Sequence, residues 1–191
     1  MPETNRTSAR ERLLAAADEL FYAEGIHTVG IDRVIERAGV AKASLYSTFG
    51  SKDELVRAYL MGRYERRRER LTQWLERYDG PRAKLLGIFD YLTDSYEQPT
   101  FRGCAFVNAS AESLPGGPAE EATTLTRTVV RSLVRDLVEQ IGVARPEVLV
   151  DHIVLLYDGA TVAARLDHNL ASAQAARAAT EALLDAATHP S

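Results

Sequence analysis

Only one cysteine occurs in 191 residues. Cys104 therefore has no partner for an intrachain disulfide, and a reducing compartment fits. Long apolar runs are missing as well. The longest notable one, "IVLLY" at 153–157, falls far short of the ~18 residues that span a bilayer, so no membrane partner is expected. The opening "MPETNRTSARER" lacks the apolar centre of a signal peptide, which predicts a cytoplasmic protein. There is no Gly-rich phosphate loop, no G-x-S-x-G elbow and no H-E-x-x-H, so no catalytic constellation and no cofactor is implied. No segment alternates with a period of two between turn signals, so no sheet is expected. Strong net charge is also lacking. The formal value is −4, too acidic for a generic nucleic-acid binder.

What is present is helix, unevenly charged. Residues 1–78 hold 14 Lys/Arg against 12 Asp/Glu, a net of +2, and residues 79–191 a net of −6. Any nucleic-acid contact should lie in the front. A hydrophobic content of 46% beside 26% charged residues reads as globular.

The first helix should start at Ser8, because "SARE" is a Ser-x-x-Glu capping box. Leu13, Ala17, Leu20 and Phe21 then repeat at helical spacing, and Gly25 is expected to supply the left-handed cap that ends the run. A shorter stripe follows in Ile31, Val34, Ile35 and Ala38, and Gly39 stops it. A third helix is predicted over 42–49, with Leu45 and Phe49 facing inward. "SKDE" at 51–54 opens a fourth, which would reach Tyr78 and measure about 42 Å at ~1.5 Å per residue. Pro81 opens a fifth, carrying Leu85, Phe89, Leu92 and Tyr96. A short helix over 105–112 precedes the breaker "LPGGP" at 114–118. Helices over 119–141, from Pro146 onward and over 172–187 complete the chain. The stretch 148–166 is apolar on nearly every side, which predicts burial on more than one face. The last helix is rich in alanine.

The stretch "GVAKASLYSTFGSKDEL", from Gly39, carries the functional argument. A short turn containing Gly between two short helices is the mark of a helix-turn-helix. Small Ala38 lets the helices approach, while Val40 and Leu45 fill the angle. Lys42, Ala43, Ser44, Tyr46, Ser47 and Thr48 are left outside. In this motif the second helix enters the major groove of DNA. Lys42 can reach a guanine edge or a phosphate, Ser44 and Ser47 bases or phosphates, and Ala43 a thymine methyl. The Tyr46 hydroxyl suits a phosphate, as does Lys52 beside the free amides of a helix start.

These residues carry a family resemblance. "GIDRVIERAGVAKASLYSTFGSKDELVRAYL" resembles the DNA-binding domain of the tetracycline-repressor (TetR) family of bacterial regulators. The marks are Gly39-Val40, Leu45-Tyr46, Phe49 and the Ser-Lys-x-Glu-Leu after it, covering roughly the first third of the chain. "FRGCAFVNASAE" at 101–112 resembles a stretch of some members. The resemblance implies an all-α homodimer that binds a palindromic operator, usually represses, and releases DNA when a small molecule fills its C-terminal part. By position it places DNA contacts at Lys42, Ala43, Ser44, Tyr46, Ser47, Thr48 and Lys52, and a phosphate contact at Arg33. The sequence departs from the pattern at Gly30, where many members cap with Ser or Thr, and at Thr48, where an aromatic or His is frequent.

The expected organisation is a three-helix DNA-binding unit over 1–55. A long helix joins it to a ligand-binding and dimerisation bundle over 56–191. The aromatic surplus nominates Trp74, Phe89, Tyr96, Phe106 and Tyr157 as a ligand surface, with Asn108 as a polar anchor, for an apolar or aromatic inducer. Leu149, Ile153, Leu156, Ala160, Ala164, Ala175 and Ala179 are expected to pair with a second copy. A ligand wedged against Trp74 would tilt the long helix and change the half-site spacing. "RYERRRER" at 63–70 mixes both signs and reads as a solvated face. Glu147, Asp151 and His152 read as exposed helix charge rather than a metal site. The alternative is an all-helical small-molecule-binding protein or enzyme that does not act on DNA.

Overall fold

A computed structural model describes residues 7–113, 115–168 and 170–188. Among the described residues there are nine helices and no strand. They are α1 Ala9–Glu24, α2 Ile31–Ala38, α3 Lys42–Phe49, α4 Lys52–Leu75, α5 Gly80–Tyr96, α6 Ala105–Glu112, α7 Pro118–Ile141, α8 Pro146–Leu166 and α9 Ser172–Thr188. The chain divides into two compact units. One runs to Tyr64 and takes in Ala105–Thr124; the other holds Glu65–Cys104 and the residues from Leu125 onward. These are units of packing, whereas the expected boundary at residue 55 is one of role.

In the first unit α1 begins as its capping box dictates. The Ser8 amide donates to Glu11 Oε2 at 2.7 Å, and the Glu11 amide donates to Ser8 Oγ at 3.2 Å. That backbone bond from Ser8 holds the Glu11 carboxyl below its usual range. Leu13, Ala17, Leu20 and Phe21 are buried as one stripe, and the Phe21 ring meets Tyr59 edge-on at 5.6 Å. Helix α1 packs on α2 and α3. The turn between α2 and α3 depends on Gly39, left-handed at φ 61°, whose amide donates to the Glu36 carbonyl at 3.1 Å. A β-carbon would disfavour that conformation. Val34 and Leu45 are fully buried, each worth about 1.5–3 kcal/mol, whereas Val40, expected to fill the angle with Leu45, is only half-buried. At the other end of the unit the Glu112 carboxylate of α6 accepts the His27 amide at 2.9 Å.

The second unit is a helical core built from α5, α8 and α9, with the later parts of α4 and α7. Leu85, Ile88, Phe89, Val134, Val138, Ile153 and Leu184 are among its most buried members. Helix α9 packs against both α8 and α5. Arg177 of α9 pairs with Asp90 of α5 at 3.0 Å, and Arg82 with Asp185 at 2.7 Å.

Three expectations change here. Helix α4 stops at Leu75 rather than Tyr78. Its continuation tightens into i→i+3 bonds, Arg77 to Trp74 and Tyr78 to Leu75. This brings the Tyr78 ring over Gly87, where a β-carbon would come within 2.8 Å of it, and its hydroxyl to Asp90 at 3.1 Å. Helix α8 is buried on one face only, since Leu155 is 70% and Leu166 71% exposed. Finally, Leu149, Ile153, Ala160 and Ala164 belong to the chain's own core, which leaves little of their surface for a second copy. Leu156 and Ala179 are half-buried and Ala175 exposed. Of the "LPGGP" breaker, Leu114 lies outside the described residues, and 115–117 form the expected turn.

Candidate nucleic-acid interface

Helix α3 shows why a mostly polar octapeptide is placed between two helices. Leu45 anchors it with no exposed surface, and Phe49 is half-buried beneath the Arg10 guanidinium, 5.7 Å from the ring centroid. Lys42, Ala43, Ser47 and Thr48 are exposed, as is Tyr46 at 47%, while Ser44 is half-buried. Two hydroxyls are engaged locally: Ser47 and Thr48 both donate to the Ser44 carbonyl, at 3.2 and 2.6 Å. Their oxygens keep acceptor capacity toward base amino groups. Lys52 is half-buried in the first turn of α4, where Ser51 Oγ accepts the Glu54 amide at 3.1 Å. Gly30 precedes α2 without any side-chain cap.

Lys42, Arg33 and Arg37 of this surface are already paired. Lys42 Nζ donates to Asp32 Oδ1 at 2.9 Å, and that bond raises the lysine pKa. Arg33 grips Glu24 with two bonds, at 2.6 and 2.9 Å, which raise the guanidinium pKa and lower that of the carboxyl. Arg37 meets Glu19 at 2.8 Å. The sequence reading missed these carboxylates. Each pair joins different helices, so no i, i+4 spacing announces it.

The six expected ligand residues do not gather in one unit. Trp74, Phe89, Tyr96 and Tyr157 belong to the second, whereas Phe106 and Asn108 belong to the first. Phe89 and Phe106 are buried, and Asn108 is half-buried. Trp74 is fixed by structure: its indole N–H donates to the Gly87 carbonyl at 3.1 Å and its ring meets Tyr91 edge-on. Tyr96 donates to Thr161 at 3.0 Å, and burial pushes its pKa up to about 12, so it is a neutral donor. Arg67 was missed. It points into this unit, and its guanidinium donates to the Tyr157 hydroxyl. Glu147 and Asp151 are engaged by Arg135 and Arg131. No helix among the described residues is long and apolar enough to cross a membrane.

A family model described as "Bacterial regulatory proteins, tetR family" matches residues 13–59, the segment that holds α2, α3 and their supports. A TetR-family transcriptional regulator from Streptomyces coelicolor superposes with a TM-score of 0.88 at 34% identity, over 95% of this chain and 96% of that one. The transcriptional activator FasR of Mycolicibacterium smegmatis is 35% identical over 91 residues, 46% of this chain and 42% of FasR. The transcriptional repressor NemR of Escherichia coli K12 is 31% identical over 105 residues, 54% of this chain and 53% of NemR. The chain thus matches about half the length, or less, of these two regulators.

Proposed function

Because this chain belongs to the TetR family of DNA-binding transcriptional regulators, we propose that it is a cytoplasmic homodimeric repressor. It would bind a palindromic operator and leave it when a small organic molecule occupies the second unit. One relative is named an activator and another a repressor, so the sign of regulation is part of the proposal. Its single main support is the outward polar face of α3, held by the buried Leu45. Lys42, Ala43, Ser44, Tyr46, Ser47 and Thr48 would face the groove, with Arg33 and Lys52 on phosphates. Base contacts specify the site and phosphate contacts set the register.

Dimerisation has a different support from the one expected. Val148, Leu155, Val162 and Leu166 are exposed on α8, and their spacing of seven, seven and four makes one stripe. Leu156, Ala175 and Ala179 can border it, while Leu149, Ile153, Ala160 and Ala164 support it from inside. Two copies would present two α3 helices to half-sites one DNA turn apart, ~34–36 Å or a multiple.

The test is binding of the purified protein to its own upstream DNA at two salt concentrations, with footprinting. A protected inverted repeat overlapping the promoter and a steep loss of affinity with salt are expected. Protection of a single half-site by a monomer would sink the dimer. Affinity that is insensitive both to sequence and to Tyr46 would remove α3 from the reading.

A further inference from the structure

The arginine run of α4 is not one solvated face. Arg68 pairs with Glu65 at the surface at 2.9 Å, and Arg66 and Arg70 are exposed. Arg67 is half-buried in the second unit. Its Nη2 donates to the Tyr157 hydroxyl, its Nη1 lies 3.9 Å from Cys104 Sγ, and its guanidinium centre stands 5.8 Å from the Tyr157 ring. None of these groups is a carboxylate. The other half-buried arginines among the described residues, Arg57, Arg63, Arg82, Arg131, Arg135 and Arg177, each meet Asp or Glu. Removing a guanidinium from water without a counter-charge is costly, so this position favours any anion that can reach it. Because Arg67 keeps part of its surface in water, it can be reached.

The neighbours decide which anion. One helical turn beyond Tyr157, Thr161 donates to the Tyr157 carbonyl at 3.0 Å and accepts from the Tyr96 hydroxyl. The Tyr96 ring lies 4.9 Å from Phe101. The polar groups are thus one guanidinium, the Cys104 thiol and neutral hydroxyls, beside the aromatic rings of Tyr157, Tyr96 and Phe101. A guanidinium offers two parallel N–H donors that match the two oxygens of a carboxylate. Flat apolar rings suit a hydrocarbon or aromatic body.

We propose that Arg67 and Tyr157 form the anion-recognising end of the effector site, which takes an organic monocarboxylate with an apolar, ring-bearing or hydrocarbon body. This rests on the reading that the second unit holds the effector, and it changes the expected inducer from apolar or aromatic to amphipathic.

The experiment measures binding directly, on the full chain without DNA. Benzoate, 2-naphthoate and octanoate are each compared with the matching uncharged amide by thermal shift and calorimetry. At least one acid should raise the melting temperature in a dose-dependent way. Its amide should bind roughly tenfold or more weakly, the loss expected when a charged hydrogen-bonded pair is removed. Arg67→Gln should weaken the acid equally and leave the amide unchanged. Tyr157→Phe should cost a smaller factor, and Arg67→Lys should restore part of the affinity. If no acid binds, if amide and acid bind alike, or if Arg67→Gln binds the acid as the parent does, the proposal is overturned. Inorganic phosphate binding as tightly as the acids would mark a plain ion site and overturn it too. Should Arg67→Gln fail to fold, the acid–amide comparison and Tyr157→Phe still decide. Operator release by the same acids is scored separately. An acid that binds through Arg67 without releasing DNA removes the regulatory reading and leaves the site standing.

Discussion

Gly25 ends α1 at φ 98° and ψ 151°, not in the expected left-handed helical region but in one that is essentially closed to residues with a β-carbon. A β-carbon there would also stand 2.7 Å from both oxygens of Glu112. Two costs follow for Gly25→Ala. The backbone conformation costs ~1–3 kcal/mol. The Glu112 carboxylate is the far end of a flexible chain and can swing aside, but it then gives up the His27 amide, a loss of ~0.5–1.5 kcal/mol. The sum is about 3 kcal/mol, which lowers the melting temperature of a chain this size by roughly 6–12 °C.

Thermal and urea unfolding followed by far-UV circular dichroism would measure this in a double-mutant cycle. Glu112→Ala alone should lose about 1 kcal/mol, the bond to His27. The double variant should fall no further than Gly25→Ala alone, because the carboxylate can be displaced only once; the coupling is thus about 1 kcal/mol. Strictly additive losses would refute the steric link between Gly25 and Glu112. A Gly25→Ala protein within ~0.5 kcal/mol of the parent would refute the backbone argument as well.

Lys42→Ala and Tyr46→Phe should weaken operator binding without changing the melting temperature, since both side chains are exposed; the lost tyrosine hydroxyl is worth ~0.5–1.5 kcal/mol of affinity, and unchanged affinity in both would exclude them as contacts. Leu155→Glu, at the most exposed point in the middle of the α8 stripe, should yield folded monomers by sedimentation at micromolar concentration with at least tenfold weaker operator binding; a dimer of unchanged stability would place the interface elsewhere. Gly87→Ala should cost about 1–3 kcal/mol by overpacking, because the new methyl would meet the Tyr78 ring at 2.8 Å; Trp74 fluorescence should shift as its bond to the Gly87 carbonyl is disturbed, and an unaltered spectrum would argue against that packing.

The parts legible in the sequence were those determined within a few residues. The Ser8–Glu11 box, the end of α2 at Gly39 and the placement of Leu45 inside and Tyr46 outside all follow from local spacing, and each is found. Faces chosen by distant partners were not legible. On α8 both Leu149 and Leu155 satisfy a helix that is apolar nearly all round; only the packing of α9 and α5 decides that the first is core and the second surface. Arg67 was hidden because its neighbours in sequence are also arginines, and nothing local separates the one that turns inward. The link of α6 to the first unit through Glu112 and His27 spans 85 positions, beyond any periodicity.

The same non-local pairing bears on how tightly the surface holds DNA. Lys42, Arg33 and Arg37 each face a carboxylate before any phosphate arrives. On the proposed reading, DNA binding would be an exchange of partners rather than the neutralisation of free cations. If Lys42 takes a DNA phosphate rather than a base edge, Asp32, with its side chain 82% exposed, releases it and recruits a solution cation. That uptake offsets one of the counterions released from DNA, which flattens the salt dependence. Asp32→Asn should therefore bind the operator more tightly, and its log–log salt slope should steepen by up to about one. The measurement is a titration of labelled operator across salt concentrations for parent, Asp32→Asn and Lys42→Ala. In the Lys42→Ala background the Asp32 substitution should have a smaller effect on the slope, since no exchange remains. The opposite result, weaker binding with a shallower slope in Asp32→Asn, would mean that Asp32 holds Lys42 in the orientation DNA requires, and the competition described here would be wrong.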